Sequence, residues 1–103
     1  KEDYDNWQSL GNRGWSYEDV LPFFRKAQNR QKGANEFHGI GGPLSVSPPR
    51  SPNPLNDTFI QAGVECQIPR NDDFNGATQE GIGFYELTQD NGRRCSNAPL
   101  RKK

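Results

Sequence analysis

Few side chains in this sequence could do chemistry, and their spacing limits what they could do together. His38 is the only histidine, and Cys66 and Cys95 are the only cysteines. One imidazole and two thiols without Cys-x-x-Cys spacing do not make a metal cage. As a general base, His38 would need a nucleophile within hydrogen-bond reach, and no such pattern surrounds it. It reads as a loop histidine hydrogen-bonded to backbone. Cys66 and Cys95 read as free, partly buried thiols of a cytoplasmic protein rather than as a disulfide. Gly39, Gly41 and Gly42 form a glycine-rich run that could cradle a phosphate, but no strand is predicted before it and no Lys-Ser/Thr follows. A flexible connection is the better reading. Acidic and amide oxygens cluster in Asn71-Asp72-Asp73-Phe74-Asn75-Gly76. A calcium loop needs more ligands in register and a closing bidentate Glu, so Asp73 and Asn75 are expected to satisfy the backbone of their own turn.

The elements that must position these groups are legible in outline. Residues 2–10 predict a short helix, with Tyr4, Trp7 and Leu10 on one face and Gly11-Asn12 ending it. Ser16, with Asp19 three residues on, predicts a capped start to a second helix running from 16 to about 29. Tyr17, Val20, Leu21, Phe24 and Ala27 make its apolar stripe, Phe23 widens it, and Pro22 should bend or tighten it near the start. Leu44-Ser45-Val46-Ser47 reads as a short strand, which Pro48, Pro49 and Pro52 forbid from continuing. Asn53-Pro54 signals a third helix start, with the cap followed by proline at the first helical position. Leu55, Phe59, Ala62 and Cys66 repeat along this helix to about Cys66, with Ile60 and Val64 beside them, and Pro69 stops it. The stretch 82–96 predicts a β-hairpin: Ile82, Phe84, Tyr85, Leu87 and Thr88 suit a strand, Asn91-Gly92 is a strong tight-turn signal, and Arg93 to Ser96 return. The expected fold is α+β, with three helices on a small antiparallel sheet that holds 82–89 and 93–96, and 44–47 at its edge.

Composition allows one small domain, residues 1–103, and restricts its core. Hydrophobic residues other than Gly make up 30% of the chain, below the ~45–50% of an ordinary soluble domain on a count that also includes Gly, and mean hydropathy is −1.06. Thirteen basic side chains balance thirteen acidic ones, so bulk charge points to neither nucleic acid nor a membrane surface as partner. No apolar run approaches the ~20 residues of a membrane span, and no signal-peptide pattern opens the chain. The chain starts Lys1-Glu2-Asp3 and contains no Met, which is how an internal piece of a longer polypeptide reads. Residues 97–103, closing on Arg101-Lys102-Lys103, read as a solvated, flexible tail.

The order of residues also resembles a known family. Trp15-Ser16-Tyr17-Glu18-Asp19-Val20-Leu21-Pro22-Phe23-Phe24-Arg25-Lys26-Ala27, then Phe37-His38-Gly39, Gly42-Pro43-Leu44 and Asp73-Phe74-Asn75-Gly76 are similar to stretches of the glucose–methanol–choline (GMC) flavoprotein oxidoreductases. Gln79-Glu80-Gly81-Ile82-Gly83-Phe84-Tyr85, running on to Thr88-Gln89 and Gly92-Arg93-Arg94-Cys95-Ser96, completes the likeness. It resembles the choline and alcohol dehydrogenase branch and covers about Tyr4 to Ser96 in order. The resemblance implies FAD in the parent enzyme, held by a strand and G-x-G-x-x-G turn that Gly39, Gly41 and Gly42 do not reproduce. It also implies that the flavin signature and the catalytic histidine pair fall outside this chain. No catalytic, cofactor-binding or metal residue is therefore carried onto it, and His38 does not match the family's catalytic histidine. Two departures stand out. Cys66-Gln67 replaces a small residue and Gly at the end of the third helix, which puts Gln in a left-handed position. Asn97-Ala98-Pro99-Leu100 breaks the helix that relatives continue, as a truncation or frame change would.

Three functional readings follow. The first is a scaffold section of an FAD-dependent alcohol or choline dehydrogenase, inactive alone, with Tyr85, Phe84 and Asn75 as candidates for the substrate-cavity side. The second is a stand-alone binding or interaction module on the same scaffold. Apolar faces left open on such a piece predict a homo-oligomer, a dimer, with the hairpin strand or the third helix at the contact. The third, an independent small enzyme, lacks a nucleophile–base spacing and a metal set.

Overall fold

The computed structural model describes residues 1–96; the tail expected at 97–103, with Pro99 and Arg101-Lys102-Lys103, lies outside the described residues. Helix α1 spans Glu2–Ser9 and α2 spans Tyr17–Ala27. Tyr4 of α1 packs edge-on against Trp7 and against Phe24 of α2, with ring centroids 5.3 and 5.8 Å apart. Such aromatic pairs contribute beyond their buried area. The Ser16–Asp19 capping box is present in both directions: Ser16 Oγ accepts from the Asp19 amide at 3.1 Å, and the Ser16 amide donates to Asp19 Oδ2 at 3.2 Å. Asp5 of α1 adds a second acceptor at this end, taking the Tyr17 amide at 3.0 Å. The helix runs through Pro22 and stops at Ala27, two residues short of the expected end, because Gln28 turns extended (φ −84°, ψ 140°).

That turn creates an element of which the residue pattern shows no sign. Gln28–Arg30 is strand β1, and it pairs in parallel with β2, Leu44–Val46. Hydrophobic periodicity cannot reveal a strand made of three polar residues. Helix α3 covers Pro54–Glu65, capped by Asn53 Oδ1 on the Leu55 amide at 2.9 Å. The hairpin forms at the expected turn but is short: β3 is Gln89–Asp90 and β4 is Arg93–Arg94. Asn91 and Gly92 carry φ of 48° and 79°, the positive pair that a type I′ turn demands. Residues 82–88 form no regular strand and carry two isolated backbone bridges, Arg70–Ile82 (parallel) and Ser47–Leu87 (antiparallel). The α+β class with three helices therefore holds, with two two-stranded sheets in place of one antiparallel sheet. The 44–47 segment borders the hairpin strand through Ser47 and Leu87, as expected of an edge.

Helix α3 ends as the sequence departure implies. Gln67 sits at φ 64°, its amide donates to Val64 O at 2.9 Å, and the Ile68 amide donates to Gly63 O at 3.0 Å. This bond pair is a Schellman closure, which normally places Gly where Gln67 stands. Gln67→Gly should therefore stabilise the chain by about 1 kcal/mol, read as a raised midpoint in urea unfolding. An unchanged or lowered midpoint would show that the left-handed Gln carries no strain.

The core is small. Val20 and Ile60 are the buried hydrophobic residues among those described, alongside buried Arg30, His38 and Ser47. On α3 the inward face is Ile60 and Gly63, the latter against the Ile82 side chain. Leu55 and Phe59, expected on the apolar stripe, are 72% exposed, and Phe23 of α2 is 70% exposed. The Cα radius of gyration is 16.0 Å, against about 13 Å for a compact globule of this length. No helix among the described residues is long and apolar enough to cross a membrane.

Candidate functional site

What sits at the centre of the chain is charge rather than an apolar core. Arg30, the last residue of β1, is 8% exposed and meets Glu86 through two nitrogens: Nε at 3.1 and 3.0 Å from the two carboxylate oxygens, and Nη2 at 2.9 Å. A bidentate guanidinium–carboxylate pair of this kind is both strong and directional. Arg30 Nη2 also stands 3.7 Å from Asp73 Oδ2. That same oxygen lies 2.7 Å from Nε2 of His38, and Nδ1 of the ring lies 3.1 Å from Gln28 Oε1. Four segments are thus joined: β1, the loop carrying His38, the Asp73 turn, and the extended 82–88 stretch. No buried side-chain nitrogen or oxygen among the described residues lacks a partner, as a stable buried polar cluster requires.

Local structure places each member. Asn35 Oδ1 accepts the amides of Phe37 and His38, both at 2.9 Å, folding the loop so that His38 turns inward. Asn71 Oδ1 takes the Asp73 amide at 2.9 Å, and Asp73 Oδ1 takes the Asn75 amide at 3.1 Å. The expectation that Asp73 satisfies its own turn is met by one carboxylate oxygen, while the other reaches His38. His38 corrects the expectation of a histidine bonded to backbone: the residue is 3% exposed and its ring partners are two side chains. Cys66 and Cys95 are free; Cys66 is exposed rather than partly buried, and Cys95 is half-buried.

The three cavity candidates differ in exposure. Phe84 is half-buried, whereas Tyr85 is 67% exposed and lies against Phe74 with ring centroids 4.8 Å apart. Asn75 is exposed beside them on the same turn as Phe74. Tyr85 therefore packs onto the Asp73–Asn75 turn through Phe74. Sequence reasoning missed Gln28, Arg30 and Glu86. The one available signal was Glu86, a lone charge inside the otherwise uncharged run from Gly81 to Thr88.

Chemically, the cluster is closed. His38, Asp73 and Glu86 offer ligand atoms within 4.8 Å of one another, but the Arg30 guanidinium already supplies the cation they would share. Ser47, the buried hydroxyl, donates to Gln89 O at 3.1 Å and does not join the cluster. The glycine run is equally committed. Gly39 and Gly41 donate to Gln28 Oε1 and Asn29 Oδ1 at 3.1 and 3.0 Å, and Gly42 to Gln28 O at 3.0 Å. Its amides are spent within the chain, so these residues do not fit a dinucleotide pyrophosphate, which needs free N–H groups.

The TQ-x-x-G-R-R-C-S hairpin, the capped W-S-Y-E-D-V helix and the F-H-G loop tied to the Asp73 turn are thus the segments that this fold holds in place. The sequence profile of the GMC oxidoreductases matches residues 1–100, and the chain belongs to that family, whose members are FAD-dependent. It is 50% identical over 99 residues to an oxygen-dependent choline dehydrogenase of Pseudomonas fluorescens (strain SBW25), covering 93% of this chain and 18% of that protein. It is 42% identical over 99 residues to an alcohol dehydrogenase [acceptor] of Pseudomonas putida, covering 95% of this chain and 18% of the relative. Among solved structures, pyridoxine 4-oxidase from Mesorbium loti superposes with a TM-score of 0.80 at 32% identity, covering 90% of this chain and 19% of that one. The chain thus corresponds to a section making up under a fifth of each relative's length.

Proposed function

We propose that these residues serve as a scaffold section of an FAD-dependent enzyme that oxidises an alcohol or choline-type substrate, and that they have no turnover of their own. The observation that carries this reading is coverage: the likeness runs through nearly the whole chain, yet reaches only 18% of the choline dehydrogenase relative. In such an enzyme FAD takes a hydride from the alcohol carbon. The part of this chain is to hold four segments in register through Arg30, Glu86, Asp73 and His38, and to offer Tyr85, Asn75 and Phe84 toward the substrate side. The closed hydrogen bonding of the glycine run supports placing the flavin on other parts of the enzyme.

The test is direct. The purified chain should show no flavin absorbance and should not oxidise choline or primary alcohols with an artificial electron acceptor. A bound flavin or measurable turnover would overturn the reading. A second role, as an interaction module, is favoured by Phe23, Leu55 and Phe59, which are 70–72% exposed and suit burial against a second copy. Sedimentation of the same preparation should show a dimer at micromolar concentration, and a clean monomer would count against it.

A further inference from the structure

We propose that His38 is a proton-operated latch: with both ring nitrogens protonated it ties β1 and its own loop to the Asp73 turn, and removing one ring proton opens one side. Counting protons leads there. Gln28 Oε1 accepts from His38 Nδ1 and also from the Gly39 amide, each at 3.1 Å. Because the Gly39 N–H can only donate, the atom it meets is the amide oxygen and not the nitrogen. Nδ1 must therefore carry a proton.

On the other side, Nε2 and Asp73 Oδ2 are 2.7 Å apart and need a second proton between them. Arg30 Nη2 stands 3.7 Å from that carboxylate oxygen as its ion-pair partner, which leaves the proton on the ring. Glu86, paired with Arg30 at 2.9 Å, completes the set of charged groups around the imidazole; Gln28 is neutral. The loop backbone fixes the ring from behind, since the His38 amide donates to Asn35 Oδ1 at 2.9 Å and its carbonyl accepts from the Asn35 amide at 3.1 Å.

A ring that loses one proton has no good alternative. If Nδ1 keeps its proton, a nitrogen lone pair faces the Asp73 carboxylate. If Nε2 keeps it, the lone pair faces Gln28 Oε1, which the Gly39 amide holds from flipping. At 3% exposure, water cannot repair either contact, and an unmatched buried acceptor is costly. The latch therefore opens as pH rises through the loss of a ring proton.

Because the chain has a single histidine, nitrogen-15 NMR of the full chain reads this ring without assignment ambiguity. At mildly acidic pH both ring nitrogens should show the protonated pattern. On raising the pH, loss of one proton should coincide with movement of the Gly39 and Asn75 amide signals, which report the Gln28 and Asp73 contacts. Two near-isosteric substitutions should displace the opening in opposite directions. Gln28→Glu adds a second carboxylate and moves it up, and Asp73→Asn removes one beside Arg30 and moves it down. If Asp73→Asn does not fold, Gln28→Glu decides alone. A single neutral tautomer at mildly acidic pH, ring titration that leaves both amides unmoved, or an unshifted opening in Gln28→Glu would overturn the proposal.

Discussion

Replacing Glu86 by Ala should destabilise the chain by about 3–5 kcal/mol, the cost of leaving a buried charge without its partner. Arg30 and Glu86 side chains are 8% and 10% exposed, and both carboxylate oxygens are engaged. An exposed pair would lose only about 0–1 kcal/mol on the same substitution, so the size of the effect separates the two cases. Against a typical domain stability of about 5–15 kcal/mol, the larger figure threatens folding outright. Urea unfolding followed by the fluorescence of Trp7 and Trp15 would measure it. The double replacement Arg30→Met, Glu86→Leu should recover much of the loss, because removing both charges leaves none unpaired. A loss below about 1 kcal/mol in Glu86→Ala would mean that solvent, rather than Arg30, satisfies this carboxylate in solution.

The second large effect is expected at Gly39. A Cβ there would run into the backbone carbonyl of Arg25, which cannot swing aside as a side-chain tip can. The loop would have to retreat from α2, and overpacking alone costs about 1–3 kcal/mol. Retreat also pulls the Gly39 amide off Gln28 Oε1 and its carbonyl off the Arg30 amide, a 3.0 Å bond. Those losses add roughly 0.5–1.5 kcal/mol each. Gly33 supplies the control. It has a positive φ of 98° but open space within 4 Å of where a Cβ would stand, so Gly33→Ala should cost only the ~1–2 kcal/mol of left-handed strain. Thermal melting should therefore place Gly39→Ala below Gly33→Ala. The reverse order would show that the glycine loop is free to move and that its close approach to α2 is not needed.

What could be read in the sequence was whatever rests on neighbours. Ser16 with Asp19, Asn53 with Pro54, and Asn91 with Gly92 each set a cap or turn within a few residues, and each appears where local chemistry puts it. Gln67 was legible from the family resemblance, as the residue standing where relatives close the third helix with Gly. The clamp was not. His38 finds Gln28 and Asp73 at separations of 10 and 35 residues, and Arg30 finds Glu86 at 56, and no local spacing encodes such pairs. Strand β1 escaped notice because its partner supplies the register and its own residues are polar. The stripe assigned to α3 went to the exposed side because Gly63, with no side chain of its own, lets Ile82 approach the opposite face.

That separation of 56 residues between Arg30 and Glu86 also bears on how the polypeptide is made. A ribosome adds about 5–20 residues per second, so Arg30 leaves the exit tunnel roughly 3–11 s before the carboxylate that neutralises it. Throughout that interval β1 is out without the carboxylate that neutralises its last residue, and slow codons between positions 30 and 86 would lengthen its exposure to chaperones and proteases.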